Sequence, residues 1–284
     1  MPQNDMIQIT MTRDELFLLE EMMPIWKEYV SGFVFMVDNA TDGTYEFLMD
    51  NREKYNIHSV LETNLGDDDF RMESVIRQRL YDEGLKYGSK IICLDTDEYL
   101  DGNASPESIS EFLGQHPDVT FLLSWVQYAD KNNIRVDPPW NPLPQRLDRI
   151  CNYTSRIEFK EKHMHSEHIP NTNKRGAFDP NNLFVAHLQW IDKPTVAVKQ
   201  YYWKIIDYVN NLKEGVEIIS PVEYDKSVNN FSWTLQEVPY QLKVSPDIYK
   251  KVDLEKSFKY REIKRLVKEH NIPNLNDWGM NIHG

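Results

Sequence analysis

The chain is poor in cysteine, with two, Cys93 and Cys151, among 284 residues. Two cannot build the disulfide framework that staples small secreted domains, and neither has the spacing of a structural zinc site. Cys93 lies inside an apolar run and reads as a small buried hydrophobe, so a reducing compartment is the expectation. Long hydrophobic runs are also missing, since none approaches the roughly 18–20 residues that cross a bilayer. The first residues, Met1-Pro2-Gln3-Asn4-Asp5, lack the basic and apolar regions of a secretory leader. The expected protein is therefore cytoplasmic, without a transmembrane segment, and would not use the glycan sequon at Asn152-Tyr153-Thr154. Positive charge is short as well: 32 Lys and Arg face 45 Asp and Glu, a net charge of −13. That balance argues against nonspecific binding of nucleic acid, which needs a basic face. An anionic ligand would need a local countercharge, and a metal ion held by carboxylates supplies one.

What is present is ordinary globular material, 40 % hydrophobic and 27 % charged, with no internal repeat or low-complexity tract. The length suits one large α/β domain or a medium domain with an appendage. A β-rich run at 7–11 meets polar Thr12-Arg13-Asp14-Glu15. A helical pattern then runs through Leu16, Leu19, Met22 and Met23 to Pro24, which is expected to lie between two helices or to begin the next. Phe33-Val34-Phe35-Met36-Val37 is continuously apolar, as a strand buried on both faces should be. It ends in turn-forming and capping residues, Asp38 to Thr44. Helices are expected over 45–54, 70–87 and 105–113, the last with Pro106 in its first turn. Strands are expected at 59–62, 90–94, 120–126 and 183–186. The alternation of strand and helix predicts a mainly parallel, helix-covered sheet with ligands at the carboxyl ends of its strands. Beyond Asp137 comes a proline-rich loop, then a histidine cluster (His163, His165, His168). Helices at 199–212 and 255–270 follow.

Asp95-Thr96-Asp97-Glu98 follows the apolar strand Ile91-Ile92-Cys93-Leu94. Three carboxylates in four positions repel one another unless something positive sits among them. Alternation aims the first and third side chains the same way. Such oxygen ligands suit Mn2+ or Mg2+, which can also bind the phosphates of a nucleotide diphosphate and neutralise a leaving group.

Ile91-Ile92-Cys93-Leu94-Asp95-Thr96-Asp97-Glu98-Tyr99-Leu100 resembles the "LDxDEF" strand of family-two-like glycosyltransferases with the GT-A fold. Val37-Asp38-Asn39-Ala40-Thr41-Asp42-Gly43-Thr44 resembles their "DDxSxDGT" loop, with Asn39 where many relatives have a second Asp. Phe184-Val185-Ala186-His187-Leu188-Gln189-Trp190, followed by Lys199-Gln200-Tyr201-Tyr202, resembles their late "LHFQ…KQRWY" segment. Met164-His165-Ser166-Glu167-His168-Ile169-Pro170 resembles their "lHxxxIP" loop near the acceptor. The resemblance covers about residues 5–205.

It implies a GT-A domain over 1–205, with a nucleotide-sugar half to about 130 and an acceptor half over 131–205. A mostly helical extension over 206–284 matches no family pattern. Thr10 and Arg13, in the first strand and its loop, would abut the nucleoside. Asp38 would accept hydrogen bonds from base or ribose. One of Arg71, Arg77 and Arg79 would approach the diphosphate, where a guanidinium fits best. Asp95 and Thr96 would meet the donor, and Asp95, Asp97 and His187 would hold Mn2+ or Mg2+. The general base that deprotonates the acceptor hydroxyl would be Glu167 or, failing that, Asp148. Trp140, Trp190 and His165 would contact the acceptor, and Trp125 and Tyr128 are further aromatic residues able to stack on sugar.

The reading is a metal-dependent transfer of a hexose-type unit from a nucleotide-diphosphate sugar to an acceptor hydroxyl, with inversion. A UDP-sugar is placed ahead of a GDP-sugar. One rival, a nucleotidyltransferase, is disfavoured because no glycine-rich loop follows the first strand. A second, a non-catalytic sugar- or nucleotide-binding module on the same fold, is disfavoured by the intact Asp95, Asp97 and His187.

Overall fold

The structure is a computed structural model that describes residues 5–63, 73–138, 140–142, 146–162, 166–179, 181–214, 233–238 and 241–272. In chain order the elements are β1 (Ile7–Thr12), α1 (Leu16–Trp26), β2 (Gly32–Asp38), α2 (Thr44–Asp50), α3 (Arg52–Tyr55), β3 (Ile57–Thr63), α4 (Glu73–Gly84), β4 (Lys90–Cys93), β5 (Glu98–Asp101) and α5 (Pro106–Gln115). They continue with β6 (Val119–Gln127), β7 (Asn133–Arg135), β8 (Arg146–Asn152), β9 (Arg175–Ala177), β10 (Phe184–His187), α6 (Lys193–Glu214), β11 (Leu235–Glu237) and α7 (Phe258–Glu269).

One large sheet has the order β3-β2-β1-β4-β8-β6-β10-β5, with β9 paired to β6 beside β10. Strands β3, β2, β1 and β4 are mutually parallel, as are β10 and β6, while β8 and β5 run antiparallel to their neighbours. The fold is thus the mainly parallel, helix-flanked α/β sheet expected from the alternation of elements. Strand β2 shows why its run is unbroken. Phe33, Phe35 and Val37 pack with α1 on one side of the sheet, whereas Val34 and Met36 pack with α4 on the other. A strand covered on both faces has no polar face to show water.

The strand directions gather the chemistry on one edge. The carboxyl ends of β1, β2, β4, β6 and β10 lie together because these strands run the same way. The antiparallel strands β5 and β8 begin there. Arg13, Asp38, Asp95, Gln127 and His187 therefore converge with Glu98 and with the Arg146-to-Arg149 stretch, although they are far apart in sequence.

Several expectations are corrected. Pro24 lies inside α1 rather than between helices, because Ile25 and Trp26 beyond it stay helical and bury in the core. The helix expected over 45–54 breaks into α2 and α3 at Asn51. Position 205, the expected end of the main domain, falls within α6. The C-terminal segment does not stand apart: Leu242, Val244, Ile248 and Tyr249 enter the main core. Phe258, Tyr260, Ile263 and Leu266 of α7 form a third core with Tyr201, Tyr202, Ile205 and Val209 of α6. Strands β5, β7, β8, β9 and β11 lie outside the expected set. They are three to seven residues long and lack the apolar continuity that marks β2.

Candidate functional site

Two of the cavities on the strand-end edge share Glu73, Arg77, Asp95, Lys199 and Trp203. Met11, Thr12, Arg13, Asp38, Thr96, Asp97 and Phe258 also line the first. Asp38 is 1 % exposed and paired with Arg13 at 3.3 Å. The Arg13 guanidinium lies 3.3 Å above the centroid of the Phe258 ring, a cation–π contact. Asn39, the next residue, takes a left-handed backbone (φ 45°), which Asn tolerates well. Asp42 supports the loop: its carboxylate accepts from the Thr44 amide at 3.0 Å and from the Leu16 amide at 2.9 Å. It thereby ties the starts of α1 and α2 together. The Thr96 hydroxyl is buried on this wall with no hydrogen-bond partner among the described residues.

The acidic turn sits where the cavities meet. Asp97 Oδ2 lies 2.9 Å from Lys199 Nζ and 3.3 Å from His187 Nε2. Burial opposes its ionisation, but Lys199 and His187 outweigh burial and hold its carboxyl below the usual range. The same pairing raises Lys199 above its ordinary value in spite of burial. Gln127 Oε1 lies 2.6 Å from His187 Nδ1 and accepts from it, while Nε2 faces Asp97. Trp125 stacks on that imidazole, with ring centroids 4.5 Å apart.

Asp95 faces the other way. It accepts a hydrogen bond from His168 at 2.9 Å and lies 3.7 Å from Arg77 and 3.9 Å from Arg149. Burial would raise its carboxyl, but His168 and the two guanidinium groups hold it well below the usual range. Burial first, and then Arg149 and Arg77, lower His168. Beneath the turn, Glu98 is fully buried and takes Arg149 at 2.5 Å, Trp125 Nε1–H at 2.8 Å and the Asp95 amide at 3.0 Å. This network holds the turn in place.

Asp97 and His187 are the residues that could hold a divalent cation, at the oxygen that Lys199 meets in this structure. The 3.3 Å between Asp97 Oδ2 and His187 Nε2 is close to the spacing of adjacent ligands with bonds of about 2.1 Å. An outer amide oxygen on the far imidazole nitrogen is the usual support of a metal-binding histidine. Among the described residues no three His, Cys, Asp or Glu groups gather at one point, because Asp95 turns to His168. Two protein ligands with phosphate oxygens and water are a common arrangement for such ions.

The second cavity is lined by Trp125, Trp140, Arg146, Asp148, Arg149, Glu167, His168 and Arg175, among others. Asp148 pairs with Arg175 at 3.2 Å through Oδ2, and its buried Oδ1 has no partner among the described residues. Burial, reinforced by nearby Glu167, raises its carboxyl.

Asp38, Arg13, Arg77, Asp95, Thr96, Asp97, His187, Asp148, Glu167 and Trp140 thus line these two cavities. Other expected residues do not. Thr10 is fully buried within β1 and accepts from the Gln8 side-chain amide at 3.0 Å; Thr12, on the same face but at the end of the strand, lines the cavity instead. Arg79 is exposed and borders a separate groove with Asp82 and Arg156, since residues two apart on a helix do not share a face. Trp190 is fully buried in a cluster with Trp140, Trp233 and Arg135, whose guanidinium lies 4.2 Å from its ring. It is packing, not a sugar platform, and fully buried Tyr128 offers no stacking face either. Arg71 and His165, with His163, lie outside the described residues. Lys199, His168, Arg149, Trp203, Gln127 and Phe258 were not singled out as site residues. Lys199 and His168 stood within motifs already noticed; the others carry no local signal.

Among the described residues no helix is long and apolar enough to cross a membrane. No protein-family model matches the chain, and no curated protein matches it. Among solved structures it is similar to S. aureus TarS, at 13 % identity and a TM-score of 0.43, over 78 % of this chain and 42 % of that one. It is also similar to S. aureus TarS 1-349 in complex with UDP, at 12 % identity and a TM-score of 0.44, over 94 % and 82 %. A third is the mannosyltransferase PcManGT from Pyrobaculum calidifontis in complex with GDP-Man and Mn2+, at 9 % identity and a TM-score of 0.42, over 98 % and 81 %. The chain spans less than half the length of the first of these.

Proposed function

We propose that the protein is a glycosyltransferase that moves a sugar from a nucleotide-diphosphate donor, a UDP-sugar first among them, to an acceptor hydroxyl. The observation that carries this reading is the pairing of Asp97 with His187 at 3.3 Å, where a cavity with a buried Asp38 meets an aromatic, acid-bearing one. The nucleoside enters the first cavity, with Asp38 accepting from base or ribose and Arg13 and Phe258 forming its wall. Asp97 and His187 are the residues that would hold Mn2+ or Mg2+, which when bound neutralises charge on the diphosphate leaving group. Lys199 and Arg77 add fixed positive charge beside the same phosphates.

The acceptor lies in the second cavity against Trp125 and Trp140. Of the two carboxylates there, Asp148 is the better general base. Its Oδ1 has no hydrogen-bond partner among the described residues, and burial makes it a stronger proton acceptor than an ordinary aspartate. A base opposite the leaving group gives inversion at the anomeric carbon.

Thermal unfolding with UDP, GDP, CDP and dTDP, each with Mn2+ and again with EDTA, tests the donor site. A ligand at a hundred times its dissociation constant adds about 2.7 kcal/mol. One nucleotide is expected to raise the melting temperature with Mn2+, and Asp97→Ala to lose that shift while remaining folded. No shift with any nucleotide would overturn the reading.

A further inference from the structure

The register of β8 carries information about the acceptor. Phe121 of β6 pairs with Ile150 and Leu122 with Asp148, so Arg149 is passed over. Neighbours in a regular strand point to opposite faces. The extra residue of a bulge breaks that alternation and re-aims a side chain. As a result Asp148 and Arg149 both border the second cavity, together with Arg146.

Arg149 is 1 % exposed. Its Nη2 is satisfied by Glu98 at 2.5 Å, but its Nε and Nη1 have no partner among the described residues. Buried donors on a charged group are costly to leave unmet. Arg146, which lines the same cavity, has no acidic partner among the described residues, whereas Arg175 is paired with Asp148. These three arginines, with Arg77 beside them, line one cavity in a chain of net charge −13. The cavity, about 560 Å³, is large enough for a sugar-sized ligand, and the Trp125 and Trp140 rings lie 6.0 Å apart on it. Arg146, Arg149 and Arg175 do not line the first cavity, where Asp38 lies.

We propose that the acceptor is anionic, a sugar bearing a phosphate or carboxylate that Arg149 and Arg146 hold while its apolar face rests on the tryptophans. The assignment of this cavity to the acceptor rests on the transferase reading; the anion site itself does not.

The test is tryptophan fluorescence titration of the full chain with mannose, mannose 6-phosphate and glucuronate, repeated with saturating UDP and Mn2+. Charge-assisted hydrogen bonds lead us to expect at least one charged sugar to bind about tenfold or more tighter than mannose. Arg146→Ala is expected to erase that preference and Arg146→Lys to restore part of it. Arg146 is chosen because Arg149 also braces Glu98, and its loss could unfold the turn. The two charged probes separate phosphate from carboxylate. Equal behaviour of charged and neutral sugars, including no binding of either, overturns the proposal. So does an unchanged preference in Arg146→Ala, or displacement of the charged sugar by UDP, which would put the anion in the donor cavity. If UDP does not bind but an Arg146-dependent charged sugar does, the transferase reading falls and the anion site stands.

Discussion

At the scale of single residues, the site is a problem of charge held out of water. Asp95 and Asp97 are two carboxylates in one turn, and each has its own partners: Arg77, Arg149 and His168 for one, Lys199 and His187 for the other. Asp148 is different, since burial raises it and Arg175 only partly compensates. Its folded carboxyl therefore stays protonated to higher pH than the ordinary 3.8. Ionising it in the folded state opposes stability, so its contribution favours the fold at low pH and declines as pH rises. Activity has the opposite sign, because a general base must be ionised. The acid limb of the pH profile of kcat/KM is expected above pH 3.8, and Asp148→Asn should lower kcat by about 10²–10⁴-fold and remove that limb. If Glu167→Gln does this instead and Asp148→Asn does not, the base is misassigned.

At the scale of elements, the short strand β5 matters more than its length suggests. It pairs antiparallel with β10, Glu98 opposite His187 and Asp101 opposite Phe184, and so fixes the end of the acidic turn against the histidine. Gly102 ends β5 with φ +130°, and a Cβ there would stand 2.4 Å from the backbone oxygen of Asn182. Neither the backbone conformation nor the space admits a side chain. Gly102→Ala is expected to cost on the order of 2–3 kcal/mol. Urea denaturation should show a lower midpoint with an unchanged slope. A midpoint equal to wild type would mean that the loop before β10 moves freely and does not set this register.

At the scale of the whole molecule, the C-terminal segment helps to line the first cavity, where the nucleoside is proposed to bind. Helix α7 begins at Ser257, whose hydroxyl accepts from the Tyr260 amide. It delivers Phe258 beneath Arg13 and Lys259 to within 3.5 Å of Glu15. Phe258→Ala would remove a mostly buried ring from the core that α7 shares with α6. The loss is expected to be about 2–4 kcal/mol of stability and roughly tenfold in UDP affinity, through Arg13. Equilibrium unfolding and calorimetric titration measure the two separately. Unaltered UDP affinity in the destabilised protein would show that the segment is a brace and not a wall of the site.

How much of this was legible in the chain follows from the range of each signal. Local patterns spoke clearly: the apolar runs of β2 and β4, the Ser105-Pro106 start of α5, and the carboxylates of 95–98. Fold class and the placement of Asp38, Asp97 and His187 on one edge could be read from them, because parallel strands carry their ends to a common side. The sequence by itself thus determined the sheet, its two-sided cover and the acidic turn. Only the tertiary structure decided what neutralises that turn. Lys199 reaches Asp97 across 102 positions and His168 reaches Asp95 across 73, and neither pairing leaves a periodic trace. The bulge that turns Arg149 inward was equally silent, since register belongs to two strands at once. The division follows from the physics. Burial and alternation act between near neighbours, whereas a charge is satisfied by whichever residue the fold brings within a few ångströms.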